Sequence, residues 1–154
     1  MQNLRMLSPF FAKMIFEALC KIDGSSEVSK EVIIPVPPRK GKIAEKGWDQ
    51  IEDLCLFLNK RYGCKICRLL KRNSSVQQKK LKREERLSLI HSAYELKSSA
   101  SLKKILKPYG GKIPKKVWLL DDVCTTGSTI ESCAHALKEA GVECVKVITL
   151  FIVD

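Results

Sequence analysis

Apolar residues at positions 4, 7, 11, 14, 15, 18 and 19 recur with the three-and-four spacing of a helix that buries one face. The chain is therefore predicted to open with a helix from Leu4 to about Ile22, ended by Asp23-Gly24-Ser25-Ser26. The period then changes. Glu31 to Pro37 (EVIIPVP) is a short β-branched run closed by prolines, which reads as a strand entering a loop, and the loop continues as PRKGKIAEKG. Trp48-Asp49-Gln50 opens a second helix, on which Ile51, Leu54, Cys55 and Leu58 share a face, and Gly63 ends it where a left-handed cap is wanted.

Cys64 to Leu70 is predicted as a second strand. Lys71 to Arg86 (KRNSSVQQKKLKREER) follows, too polar and basic to serve as a core element, and reads as a loop ending in a short helix. Ser92 to Leu96 reads as a short strand, and SSASLKKILKPYGGKIP as a small helix with a Pro/Gly-rich connection. Val117 to Leu120 is apolar throughout rather than alternating, as a parallel strand covered on both faces should be. Ile130 to Ala140 is a helix with Ile130, Cys133, Ala134 and Leu137 on one face, stopped by Gly141, and Val142 to Val153 supplies a further strand or two. Strands alternating with helices predict an α/β domain with a mostly parallel central sheet.

The 154-residue length suits one domain with its own core, and 45% hydrophobic with 29% charged residues excludes a disordered chain. Lys and Arg outnumber Asp and Glu by 28 to 17, a net charge of +11 that favours an anionic partner. The seven scattered cysteines, and a start (MQNLRMLSPFFAKMIF) with neither a long apolar core nor a cleavage site, predict a reducing, cytoplasmic setting and no membrane insertion. Cys64-Lys65-Ile66-Cys67 has no second CxxC or paired histidines to complete a zinc site, and reads as two small hydrophobes in or near a strand.

The chemistry concentrates in Val117 to Ile130 (VWLLDDVCTTGSTI). Ligands of parallel α/β sheets collect beyond the carboxyl ends of strands, where Asp121 and Asp122 fall. Successive strand side chains point to opposite faces, so two adjacent acids suggest a strand end already turning outward. Cys124-Thr125-Thr126-Gly127-Ser128-Thr129 is then a turn of small hydroxyl residues delivered to a helix N-terminus, a cradle for a phosphate. Carboxylates beside a phosphate need something else to hold, and two neighbouring hydroxyls or a divalent cation would suit them. A ribose 5-phosphate meets both demands. The plainer alternative is a solvated strand end followed by a helix that Ser128 or Thr129 caps.

These residues resemble the phosphoribosyl diphosphate (PRPP) signature of type I phosphoribosyltransferases: four apolar residues, two acids, one apolar residue and a TTG-type loop, matched from Val117 to Thr129. Pro35-Val36-Pro37-Pro38, Lys46-Gly47-Trp48-Asp49-Gln50, and Gln78, Leu81, Glu85 and Arg86 before Ala93-Tyr94 are similar to motifs of the ComF branch, which includes ComFC and GntX. Lys46, Trp48, Asp49 and Leu89 depart from the residues usual there, and the zinc module that branch often carries at its start has no counterpart in the first thirty residues.

The resemblance implies a type I phosphoribosyltransferase (Rossmann-like) fold with a flexible hood over residues 71–96, in a phosphoribosyltransferase-like domain spanning 31–154, preceded by a helix and linker over 1–30. It implies that Cys124, Thr125, Thr126, Gly127, Ser128 and Thr129 bind the 5-phosphate of PRPP or another ribose 5-phosphate ligand, and that Asp121 and Asp122 bind the ribose hydroxyls. Pro37, Pro38, Arg39 and Lys40 would face the diphosphate, Gln78 and Arg86 would act from the hood, and Arg86 joins the two aspartates as a candidate catalytic residue. Mg²⁺ would arrive with PRPP. The implied activity is phosphoribosyl transfer to an unidentified acceptor in competence and DNA uptake. The other class of function is a non-catalytic module of the same fold contacting single-stranded DNA or a competence helicase.

Overall fold

A computed structural model describes residues 6–24, 32–38, 41, 45, 47–73 and 93–153. Helix α1 (Ser8–Asp23) has Pro9 in its first turn and closes on Gly24 in the left-handed region, φ 64°. Strand β1 (Val32–Pro35) is buried along its whole length. Helix α2 (Gln50–Tyr62) starts one step later than the periodicity suggests, because Asp49 is its N-cap: the Asp49 carboxylate accepts from the Glu52 N–H at 3.1 Å. Glu52 and Asp53 in the first turn and Lys60 and Arg61 in the last complement the helix dipole.

The strand expected over Cys64 to Leu70 is corrected. Ile66 makes a single parallel bridge to Ile33, and the extended strand β2 (Leu70–Arg72) pairs antiparallel with β3 (Tyr94–Leu96) in a separate two-stranded sheet. Side chains take acceptors that a ladder would use: the Tyr109 hydroxyl donates to the Ile66 carbonyl at 2.8 Å, and Asn59 Nδ2 donates to the Cys64 carbonyl at 2.9 Å. Cys64 and Cys67 are both buried, as small hydrophobes beside β1. Helix α3 (Ser99–Leu106) and a 3₁₀ turn (Lys107–Tyr109) lead to β4 (Lys116–Cys124), α4 (Ser128–Glu139) and β5 (Cys144–Ile152).

The main sheet runs β1-β4-β5, parallel throughout, with Val32 opposite Val117 and Lys116 opposite Cys144. Strand alternation divides the core between its two faces. Val32, Ile34, Val117 and Leu119 face α4 and the β2-β3 pair, with Cys133, Leu137, Leu70 and Tyr94. Ile33, Trp118 and Leu120 face α1 and α2, with Ile15, Leu19, Leu54 and Leu58. Burial on both sides explains the unbroken apolar run of β4. Among the described residues no helix is long and apolar enough to cross a membrane.

Candidate functional site

The expectation that the strand turns outward at the acid pair is also corrected. Strand β4 continues through both aspartates to Cys124, with Asp121 opposite Thr149 and Val123 opposite Phe151. Alternation therefore sends the carboxylates to opposite faces. Asp121, only 7% exposed, follows Val117 and Leu119 toward α4 and β3, while Asp122 follows Trp118 and Leu120 toward the start of α2. Each carboxylate also accepts from the next backbone N–H: Asp122 N–H to Asp121 and Val123 N–H to Asp122, both at 2.9 Å.

The turn after β4 places Gly127 at the N-cap of α4, with φ 75° and no capping side chain. Ser128 and Thr129 are inside the first turn, so the reading in which they merely cap the helix does not describe this terminus. Their N–H groups belong to the first turn of a helix, where no intrahelical acceptor exists. The Thr126 and Ser128 hydroxyls lie 2.5 Å apart on the exposed side of the turn. Asp121, Val123, Cys124, Thr125, Thr126, Gly127, Ser128, Thr129 and Ile130 enclose a cavity of about 80 Å³, the size of one phosphate group rather than of a whole ligand.

Next to it is a cavity of about 220 Å³ whose walls include Pro37, Pro38, Asp49, Arg72, Tyr94, Asp121, Asp122 and Thr129. Asp121, Val123 and Thr129 line both spaces, so the phosphate-sized turn adjoins the larger chamber. A third cavity of about 260 Å³ continues on the far side of Pro37, Pro38 and Arg72, bounded by Pro35, Glu52, Arg68, Leu70, Lys71 and Lys97. The fold thus brings Asp121, Asp122, Cys124 to Thr129, Pro37 and Pro38 together. Arg39, Lys40, Gln78 and Arg86, with most of the expected hood, lie outside the described residues.

Three lining residues were not among the site residues expected from the sequence. Asp49, 4% exposed, reaches the chamber from the cap of α2. Arg72 and Tyr94 face each other across the β2-β3 ladder, with the guanidinium 5.7 Å from the ring centroid. Burial pushes the Tyr94 hydroxyl's pKa up, Arg72 pulls it back, and Cys133, Thr129 and Asp121 act on it more weakly, which places this ring between the turn and the strand pair. The Cys133 thiol is pushed up to about 12, first by burial and then by Asp121. It is a packing residue beneath the site rather than a nucleophile in it. Ala93-Tyr94 stood in the sequence as a motif end, but only strand pairing reveals what the ring touches.

No group of three or more His, Cys, Asp or Glu side chains able to hold a metal exists among the described residues. The donor set at the chamber suits Mg²⁺ in one limited sense. This ion takes one or two carboxylates and completes its shell with water and phosphate oxygens.

Residues 82–153 match the family model for the phosphoribosyl transferase domain. The chain is 32% identical over 145 residues to Competence protein ComFC of Streptococcus pneumoniae, covering 94% of this chain and 56% of that one. It therefore spans little more than half the length of this curated relative. Among solved structures, it superposes with a TM-score of 0.55 and 18% identity on the allosteric regulatory enzyme of purine biosynthesis, over 95% of this chain and 26% of that one. A hypoxanthine phosphoribosyltransferase from Staphylococcus aureus gives a TM-score of 0.47 and 11% identity over 98% and 64%.

Proposed function

The chain belongs to the phosphoribosyltransferase-like proteins of the ComF type, and on that footing we propose that it binds PRPP, or a related ribose 5-phosphate, in the two adjoining cavities at the carboxyl end of β4. One observation carries this reading: the phosphate-sized turn of Cys124 to Thr129 adjoins a chamber walled by Asp121 and Asp122. The ligand-binding unit is residues 31–154, with the helix of the first thirty residues packed on it.

In this assignment the N–H groups and hydroxyls of Thr125 to Thr129 hold the 5-phosphate at the positive end of α4. Asp121 and Asp122 accept from the ribose 2- and 3-hydroxyls. Although they diverge on β4, both line the same chamber, which is what lets one diol reach the two of them. Mg²⁺ entering with the diphosphate would neutralise charge on its oxygens, with Asp121 or Asp122 the carboxylates available to it at the chamber. Transfer breaks the anomeric C–O bond, diphosphate leaves with the electron pair, and the acceptor forms the new bond to that carbon. Positive charge grows on the ribose as the bond breaks. The carboxylates beside the ring, Asp121 buried and Asp122 partly so, have the sign to stabilise it, so positioning and electrostatics carry the rate without a protein nucleophile. The acceptor is unassigned. A role in competence is supported by the relative's name alone, and the net charge of +11 suits work among anionic ligands.

Calorimetric titration with PRPP, with and without Mg²⁺, tests the assignment beside an Asp121→Asn/Asp122→Asn variant. Loss of charge-assisted hydrogen bonds worth roughly 1.5–3 kcal/mol each should weaken binding at least about tenfold. Absence of Mg²⁺-dependent binding in the parent, or equal affinity in the variant, sinks it.

A further inference from the structure

The main sheet closes one of its edges and leaves the other open. At β1 the Ile33 N–H donates to the Lys65 carbonyl and its C=O accepts from the Cys67 N–H, both at 2.8 Å, and every residue of the strand is buried. Strand β5 has no such cover: nothing among the described residues pairs with its outer side, and none of its nine residues is buried. Exposed edges are usually blunted by proline, a bulge, short length or charge. Here the strand reads CVKVITLFI, and its one charged residue, Lys146, holds its ammonium over the Trp118 ring at 4.9 Å.

Helix α1 extends that edge. Phe16 stacks on Tyr62 with ring centroids 4.4 Å apart, so this flank of the helix meets α2. On the other flank Leu7, Phe11, Met14, Ala18 and Ile22 recur at three-and-four spacing, and the Phe11 ring meets Phe151 of β5 edge to face at 5.7 Å. Leu7, Met14 and Ile22 are exposed, as are Val147, Phe151 and Ile152 on the strand, with Ile22 at 61% and Ile152 at 75% the most open of them. Those six side chains leave roughly 500 Å² of apolar surface in water, as large as the largest patch on an ordinary monomer, where such a patch is often functional. With Phe10, Val153 and the open strand backbone added, the face approaches the ~800 Å² that each partner contributes to a standard interface.

We propose that a second copy of this chain covers this face, β5 pairing antiparallel with β5 of the copy and α1 packing along its α1. The face complements itself. A twofold axis at Ile148 overlaps the whole strand and sets Lys146 opposite Leu150 rather than opposite its own copy. The helix stripe is centred on Met14 in the same way, so Lys21 falls beside Leu7 of the copy. Parallel pairing in register would instead set Lys146 against Lys146, a like-charge pair that destabilises a ladder. Two three-stranded sheets thereby join into one, and neither β5 edge is left open. Because the strands run antiparallel across the axis, the two threonine turns lie at opposite ends of the joined sheet and both stay accessible. The assembly therefore stands or falls separately from the ligand assignment.

Sedimentation velocity over a concentration series reads the association. The parent should pass from monomer to dimer at about micromolar concentration. Met14→Glu and Ile152→Lys should each weaken the dimer at least about tenfold, while Leu56→Glu, at an exposed apolar position on α2, should leave it within about twofold. Thermal melting checks that each variant is folded, and if Met14→Glu is not, Ile152→Lys carries the comparison. Amide hydrogen exchange reports the strand pairing itself: β5 amides should exchange more slowly in concentrated than in dilute protein. A chain that stays monomeric throughout leaves the face to some other occupant and overturns the proposal. So does an association that Leu56→Glu weakens as much as Ile152→Lys does, or a dimer whose β5 amides exchange as fast as the monomer's.

Discussion

Gly127 holds φ at 75° with nothing within 4 Å of where a Cβ would sit, so conformation and not crowding requires glycine there. The open space in front of it is the phosphate-sized cavity. An alanine at this position faces a left-handed penalty of about 1–2 kcal/mol. Gly127→Ala should therefore lower unfolding free energy by about that amount in urea melts. It should also weaken ribose 5-phosphate further than stability alone accounts for, because a turn that relaxes out of the left-handed region re-aims the N–H groups of Ser128 and Thr129. A variant with parent stability and parent affinity would show that the glycine conformation has no part in the site. Asp121 and Asp122 are read at the same scale. Sequence showed the pair, but only the continuation of β4 to Cys124 shows that they diverge to two faces.

At the scale of elements, periodicity was a good guide wherever an element buries one clean face. Helix α2 kept its Ile51, Leu54, Cys55 and Leu58 face and its Gly63 stop, and β4 kept its both-faces burial. The segment over Cys64 to Leu70 was misread because its apolar residues are buried by contacts distant in sequence, including Tyr109 on Ile66, which local pattern does not encode. Arg72 and Tyr94 were illegible for a related reason: cross-strand partners 22 residues apart are joined by register alone. Buried thiols on these elements make a pH prediction. Burial raises Cys55 and Cys133 to about 12 and Cys64 and Cys67 to about 11, from an ordinary 9.0. In the unfolded chain these thiols ionise near the ordinary value while the folded ones stay protonated, so the unfolded state loses protons first. Their contribution to stability is complete below about pH 9 and declines as pH rises toward the raised values. Urea unfolding at pH about 8 and about 10 should show the lower midpoint at the higher pH, and substituting Cys133 by Ala should shrink the difference. A midpoint that does not fall would contradict the burial assigned to these groups.

For the whole molecule, the sheet gathers the described residues of the candidate site at one end. Strands β1 and β4 run parallel, so the Pro35 to Pro38 segment and the Asp121 to Thr129 turn leave the sheet at the same edge, and β2-β3 closes the space from the α4 side. A basic chain with an acidic chamber is the consequence: carboxylates sit where a sugar would lie, and the hydroxyls and N–H groups of the turn stand where its phosphate would end. The central claim is that the turn at the head of α4 is the phosphate site. Amide ¹H–¹⁵N spectra recorded during titration with ribose 5-phosphate test it most directly. The largest, saturable shifts are expected at Gly127, Ser128, Thr129 and Ile130, with α3 and the carboxyl half of α1 unmoved. Saturable binding that leaves those four amides unshifted, or no binding at all, would contradict it.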